Sequence, residues 1–491
     1  MIFSHVAPWP VLLIVSPLLL ALCAFLVPRS TRLCSLGASL GILLLTVLLT
    51  LETSRQGALR YPLGGWPPEL GIGLVVDGFN LWLLWLAALI NSLLGLYASV
   101  GRRMTPLWLL LWAALNGILL SADLFNLYVA LELMGLSAVA LVALAATPAA
   151  RKAAFNYLLL NIFGSLCFLL GVVFIYRQTG VLHLELFHTL NYSQPLSALA
   201  LALLTLGLLI KSAIFPLHFW LPPAHSQAPA PVSALLSALV VKAPFYLLLR
   251  IWLPILLGER PPSTLLLSSL GVLGAAAILW GSLQALGSRE LKELIAYSTV
   301  AQMGYLFLLF PLLEGGQRGM AIQGALFFLS THALAKAALF LSAGTMAEQG
   351  KREEGPLLVE ELRGLGERVP LASFTLALSA VCLMGLPPSG GFVAKWYLLS
   401  VALENDRWGW AAVIIVGGLL GLAYLLRPVA RTFSRGHKQT VPECVPLQSK
   451  PGAALLLALA AILLGLFPWL PLELPNSGLP SFIPQAGGGA P

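Results

Sequence analysis

An all-α polytopic membrane protein of about 14 transmembrane helices is the fold class that the sequence predicts, at roughly 20 apolar residues per crossing. Three observations predict it. Of 491 residues, 58% are hydrophobic and only 10% are charged, with a mean hydropathy of +0.89; a soluble domain carries about 25% charged residues. The apolar stretches recur along the whole chain with short loops between them, none long enough for a soluble domain. The basic residues, finally, are distributed unevenly between the two sets of alternating loops.

In order, the apolar spans fall at 8–27, 33–51, 74–99, 104–121, 123–146, 154–176 and 196–219, then at 229–253, 263–286, 293–313, 319–347, 369–403, 409–427 and 451–472. The first run has no basic segment before it and Arg29 and Arg32 after it, the flank order of a first span rather than of a cleaved signal peptide. With the N-terminus placed outside, seventeen Lys and Arg residues fall on inner loops and seven on outer loops; four lysines inside spans complete the 28. This positive-inside bias predicts an even number of crossings with both termini on the outer face. Asp77 and Asp123 stand where helices start, as caps, and Trp9, Trp108, Trp220 and Trp469 near span ends read as an interfacial belt. Residues 475–491, rich in Pro and Gly, read as a flexible tail. The chain is thus one membrane domain, 1–491.

Two spans are interrupted. That at 196–219 meets Pro216 in KSAIFPLHFWLPP, just after Lys211; that at 369–403 contains GLPPSGGFVAK and then Lys395. Proline removes a backbone donor and clashes with the preceding turn, and freed carbonyls at membrane depth persist only where protein or a wet cavity satisfies them. The lysine precedes the first break and follows the second. This reversal predicts an inverted repeat, 104–253 matched by 263–427.

The spans also carry Glu132, Lys211, Lys242, Lys336 and Lys395. An ionised side chain at mid-bilayer costs at least about 2.5–3.5 kcal/mol, so such residues mark ion or proton paths by default. Glu132 is about nine residues into its span and Lys211 about eight from the inner end of its own, beyond a lysine's snorkelling reach of roughly one turn. Burial disfavours a charged lysine and a nearby carboxylate favours it, so Glu132 and Lys211 are expected to pair, with a proton affinity that changes when the partner moves. Lys242 is the next station, and Lys395 a gate beside the second break. His332 and Lys336, four apart, share a helix face. His218 and His225, in FPLHFWLPPAHSQAPAP, are candidates for a proton entrance. The four lysines are expected to lie along one polar line parallel to the membrane.

Other chemistry is absent from the pattern. The net charge of +8 follows membrane sidedness, not a nucleic-acid patch. There is no Walker loop, dinucleotide fingerprint or paired-cysteine spacing, so no cofactor, metal or catalytic redox site is expected on this chain. Energy must come from an ion gradient or a partner.

At these residues the chain resembles the antiporter-like membrane subunits shared by Mrp-type cation/proton antiporters and respiratory complex I (the M/N-type subunits). The likeness rests on DLFNLYVALELMGLSAVALVAL around Glu132, KSAIFPLHFWLPPAHSQAPAPVSALLSALVVK from Lys211 to Lys242, SRELKELIAYSTVAQMGYLFLLF from Ser288, and GLPPSGGFVAKWYLL. Within the family, length and the DLFNLYV context look most like the Mrp D subunit, whereas HSQAP looks more like complex I. The resemblance implies 14 helices that include two inverted five-helix repeats, with helices 7 and 12 broken. It also implies Glu132 on the fifth helix as partner of Lys211 on the seventh, Lys242 on the eighth, His332 and Lys336 on the eleventh, and Lys395 on the twelfth. Pro223 and Gln302 depart from the family's pattern, where an acidic residue and a histidine are usual. The implied function is a proton-translocating subunit of a multisubunit monovalent cation (Na+)/H+ antiporter in the inner (plasma) membrane, with other membrane subunits, protons, a cation and lipid as partners. The alternatives are a proton-pumping membrane subunit of a complex I-like NADH/ferredoxin:quinone oxidoreductase or membrane hydrogenase, and a scaffold whose charges serve only as interhelical glue.

Overall fold

The structure, a computed structural model, describes residues 7–66, 71–97, 101–184, 190, 194–257, 264–350, 355–435 and 449–468. The expected flexible tail at 475–491 and Trp469 lie outside the described residues. Helices α1 (Trp9–Leu26), α2 (Thr31–Gln56), α3 (Gly78–Tyr97), α4 (Met104–Leu120), α5 (Leu124–Ala143), α6 (Pro148–Thr179) and α7 (Pro195–Lys211) follow one another. After a non-helical stretch come α8 (Leu221–Gln227) and α9 (Ala230–Leu235), and a π turn over Leu236–Val240 leads into α10 (Lys242–Leu257). The rest comprises α11 (Thr264–Gly287), α12 (Leu291–Phe307), α13 (Leu309–Leu312), α14 (Arg318–Gln349), α15 (Leu365–Arg368), α16 (Pro370–Met384), α17 (Gly390–Glu404), α18 (Trp408–Phe433) and α19 (Pro451–Leu466). Among the described residues, ten helical runs are long and apolar enough to cross a membrane, and α4, α7, α16 and α19 are shorter apolar helices. The chain is a nearly all-helical polytopic membrane protein.

Local chemistry sets the boundaries. Asp123 caps α5 by accepting from the Asn126 amide at 2.7 Å, Thr147 caps α6 from the Ala150 amide at 3.0 Å, and Ser389 caps α17 from the Phe392 amide at 3.3 Å. The expected span at 154–176 is therefore short at both ends: with Pro148 in its first turn, α6 extends through polar residues that an apolar window discards. The expected span at 74–99 also needs correction. Leu59–Pro62 (β1) pairs antiparallel with Gly73–Val76 (β2), and the helix begins only at Gly78, behind the cap of Asp77. Backbone bonds from Ala122 to Gly73 and from Leu184 to Ala122 extend this layer over the ends of α4 and α5.

Close helix contact comes from small residues. A Cβ on Gly207 of α7 would lie 2.5 Å from the Gly164 carbonyl of α6, and one on Gly304 of α12 would lie 2.4 Å from the Gly274 carbonyl of α11. Bare backbone at these crossings replaces the hydrophobic drive that lipid cannot supply. The middle of the molecule is α14 with the α9–π turn–α10 run, whose most apolar stretches are entirely buried. Around α14 pack α9, α12, α16, α17 and α19.

Two further expectations are corrected here. Trp108 and Trp220 are core residues, not belt residues: Trp108 donates to Asn91 at 2.7 Å, and Trp220 stacks on Tyr157 at 4.1 Å while donating to the Ile210 carbonyl at 3.1 Å. Their partners lie on neighbouring helices, which nothing in their own segments reveals. Arg250, counted among outer-loop charges, is buried in α10 and pairs with Asp77 at 2.6 Å, between the rings of Phe79 and Tyr246. Asp77 is thus a cap and an ion-pair partner at once.

Asp77→Asn is expected to destabilise the protein by about 3–5 kcal/mol, because it strands a buried guanidinium. Adding Arg250→Met should recover most of that loss. Thermal unfolding of the solubilised protein checks both, and equal melting of Asp77→Asn and the parent would contradict it.

Candidate functional site

The polar interior begins where α5, α6 and α7 meet. Lys211 is the last residue of α7, so the end of the helix delivers its side chain to the break. Its Nζ lies 3.5 Å from Glu132 Oε1 on α5 and donates to Asn161 Oδ1 on α6 at 2.6 Å. Glu132 Oε1 also accepts from Ser165 Oγ, one turn beyond Asn161. Glu132 and Lys211 thus form the expected pair. Lys211 is enclosed, at 3% side-chain exposure, but Glu132 is 23% exposed on the lateral surface of α5. The expectation that Glu132 is shut away along its helix missed this sideways opening. Beside the pair lies a cavity of about 10 Å³, bordered by Met134, Tyr157, Asn161, Lys211, Trp220 and Val240, which is room for about one water.

Val240 belongs to the π turn, and Lys242 follows it. Lys242 Nζ donates to the Ser237 carbonyl of that turn at 2.5 Å. A π turn breaks the regular i→i−4 ladder, and the buried ammonium uses a carbonyl made available there. Ser237 Oγ is 2.9 Å from Thr299 Oγ1, which ties the turn to α12. Lys336, on α14, crosses to the same helix: it donates to the Ile295 carbonyl at 2.8 Å and to Ser298 Oγ. His332, one turn earlier on α14, packs on Phe328, and neither ring nitrogen has a hydrogen-bond partner among the described residues. It lies within electrostatic reach of Lys242, Lys336 and Lys395.

The second break holds Lys395. Its Nζ donates to the carbonyls of Leu383 and Met384, both at 3.0 Å, and sits 5.0 Å from the centre of the Tyr305 ring. Those carbonyls are orphans of the last turn of α16, which ends in Gly385 at φ 80°. A Cβ there would come within 2.8 Å of the Lys395 stem, so this glycine serves both the turn and the lysine. Gln302 of α12 donates to the same Leu383 carbonyl at 3.4 Å and to Tyr424 at 3.2 Å; where the family's pattern has histidine, this chain keeps an amide at the break.

The two candidate entrance histidines part company. His225 is fully buried, stacked on Phe340 of α14 at 4.9 Å, and within electrostatic reach of Lys242, Lys292 and Lys336. His218 lies beside Phe215 at 5.5 Å. The sites therefore gather into two groups: Glu132 with Lys211, and Lys242, His332, Lys336 and Lys395 with His225 beside them. The cavity beside Lys211 extends to Val240 of the π turn, two residues before Lys242.

Sequence reasoning missed Asn161 and Ser165, and it counted Lys292 as a loop charge. Lys292 is half-buried in the first turn of α12 and donates to the Ala228 carbonyl at 2.6 Å. For α6 there was a signal: Asn161 and Ser165, four apart in NYLLLNIFGSLCFLL, place two polar groups on one face of an apolar helix.

A family model described as NADH:quinone oxidoreductase/Mrp antiporter, TM, matches residues 121–421. The chain is 37% identical over 449 residues to the N subunit of the NADH-quinone oxidoreductase of Desulforudis audaxviator, covering 88% of this chain and 87% of that protein. It is 30% identical over 417 residues to the Na(+)/H(+) antiporter D subunit of Alkalihalophilus pseudofirmus, covering 82% of each. It superposes on a chain of the Mrp complex from Dietzia sp. DQ12-45-1b with a TM-score of 0.85 at 26% identity, covering 96% of each.

Gly135 of α5 leaves the space that Asn161 fills, since a Cβ there would lie 2.3–2.5 Å from the Asn161 amide. Gly135→Ala is therefore expected to force Asn161 off Lys211 and to cost about 1–3 kcal/mol of overpacking. In thermal unfolding, the double variant Gly135→Ala, Asn161→Ala should be more stable than Gly135→Ala alone. Strict additivity would mean that the two residues do not touch.

Proposed function

Because this chain belongs to the NADH:quinone oxidoreductase/Mrp antiporter membrane-subunit family, we propose that it carries protons along Glu132, Lys211, Lys242, His332, Lys336 and Lys395, with His225 as a side entry. One observation carries the proposal. Among the described residues, Lys242, Lys336 and Lys395 bond only to neutral acceptors (backbone carbonyls and a hydroxyl), whereas Lys211 has a carboxylate partner. A buried amine on neutral acceptors gives up its proton without abandoning a counter-ion. Gain of a charge at one station disfavours charge at the next. Such a row passes a perturbation along without large movements. It fits a lateral line of stations, fed at one end by the pair whose affinity depends on the Glu132–Lys211 distance.

Glu132 supplies the link outward. It opens on a face with exposed Phe125, Val129 and Leu136. A carboxylate there would face hydrocarbon at high cost, so a neighbouring membrane subunit is proposed to cover it. The proposed topology is fourteen crossings that include two inverted five-helix units, 104–253 and 263–427, with both termini on the outer face of the plasma membrane. The reversed order of lysine and break around α7 and around α16–α17 supports the two units.

For the driving reaction we propose exchange against a monovalent cation such as Na+, supported by the likeness to Na(+)/H(+) antiporter D subunits. A redox-driven complex is the second reading, and a specific observation favours it: the 37% identity to an oxidoreductase N subunit. Mass spectrometry of the purified native complex separates them, through small membrane subunits alone in the first case and iron–sulfur or flavin subunits in the second.

In sealed vesicles with a pH-sensitive dye, Glu132→Gln, Lys211→Met and Lys336→Met are each expected to abolish proton movement while the complex still assembles. Lys395→Arg should keep the charge yet lose most transport, because arginine hardly deprotonates. Full transport by Lys395→Arg would make that residue a fixed charge only, and collapse of assembly in all the charge variants would favour the scaffold reading.

A further inference from the structure

The end of the bundle at which α3 and α14 finish and α19 begins holds a polar connection outside the row of lysines. Tyr97 closes α3, Thr345 and Glu348 lie in the last turns of α14, and Ser449 stands just before α19. The Tyr97 hydroxyl is 2.9 Å from Thr345 Oγ1, and Thr345 Oγ1 is 2.9 Å from Ser449 Oγ. Ser449 Oγ in turn donates to Glu348 Oε2 at 3.2 Å, with the Ser449 amide at 3.3 Å from the same oxygen. Tyr97, Thr345 and Ser449 are buried and Glu348 is half-buried, so the line runs from the surface inward.

Its inner end lies against the turn of α14 next to the one that carries His225. The Tyr97 hydroxyl reaches the Leu341 carbonyl at 2.7 Å and would lie 3.1 Å from a Cβ on Gly344. Phe340, one turn before Gly344, carries the stacked His225 ring. Tyr97 and His225 thus lie against adjacent turns of α14, and both ring nitrogens of His225 lack hydrogen-bond partners among the described residues. These bonds tie three helix ends together. A series of hydroxyls ending in a carboxylate is also a conductor, since each hydroxyl both donates and accepts.

We propose that Glu348, Ser449, Thr345 and Tyr97 form a proton-uptake relay from this face to His225, resting on the proton-carrying reading above. A proton taken up on Glu348 Oε2 passes to Ser449 Oγ. The proton that Ser449 held moves to Thr345 Oγ1, that of Thr345 to the Tyr97 oxygen, and that of Tyr97 through a bridging water to a His225 nitrogen. Each hydroxyl is restored, Glu348 ends as carboxylate and His225 as imidazolium; no electron changes hands. His225 then hands the proton to the lysines within its reach.

The test uses the native complex in sealed vesicles, with proton movement started by its own driving reaction and read by a pH-sensitive dye. Thr345→Val and Tyr97→Phe remove the hydroxyls and keep the shapes. Each should slow proton movement about a hundredfold, the lower end of what a positioned proton-transfer group contributes, and raise the rate ratio between H₂O and D₂O. Glu348→Gln should slow it too and regain rate when formate is added as a diffusible acid, a rescue that a structural role does not give. Ser449→Ala, outside the helices, decides the matter if the helical variants fail to accumulate. Parent-like rates and isotope ratios in the variants that assemble overturn the relay. Lys336→Met separates the two failures: if it is inactive while the relay variants run normally, only the relay is wrong, and if it runs normally, the proton-carrying reading itself falls.

Discussion

Ammonium groups held at the depth of the hydrocarbon need acceptors, and the architecture around α14 is built to supply them. Regular helices offer few, because interior carbonyls are already bonded within their own helix. This protein opens the backbone at three places and sets a lysine beside each: Lys211 where α7 stops, Lys242 after the π turn, and Lys395 beside the orphan carbonyls of α16. Lys336 lies in an unbroken helix and is served instead by a carbonyl and a serine of α12. Lipid cannot satisfy freed backbone groups, so each opening had to be buried. That requirement places α14 and the α9–π turn–α10 run at the centre, with the more lipid-compatible α1, α2, α6 and α11 outside.

The single carboxylate of the row lies at its edge. Glu132 accepts from Ser165 and Lys211 and still opens sideways on α5, so the counter-ion of the series sits where another chain can influence it. The buried pair of Asp77 and Arg250 differs in kind. It is enclosed by Phe79, Tyr246 and Asn80, and it fastens the start of α3 to the interior of α10. One ion pair is positioned to respond and the other to hold.

The breaks were legible because Pro and Gly beside a charged residue contradict an apolar span at once: Pro216 near Lys211, and Pro387, Pro388, Gly390 and Gly391 before Lys395. The Glu132–Lys211 pairing was legible because one acid and a nearby span's lysine had few other partners. The π turn before Lys242 was not, since LSALV has the composition of any apolar helix. Nor were the burial of Arg250 and the inward bond of Lys292, because a charge near a span end looks the same whether it reaches water or a partner across a helix interface.

By itself the sequence determined the class of the protein, the approximate positions of its helices, the two interruptions and the identity of the buried charges. These follow from composition and spacing, which act locally and can be read from one segment at a time. Tertiary structure alone decided which acceptor each lysine meets, that His225 rather than His218 joins them, and that Glu132 opens to the side. A hydrogen bond is satisfied by geometry between segments far apart in the chain, as in Lys336 with Ile295 or Tyr97 with Thr345. Such distances are fixed only when the helices pack.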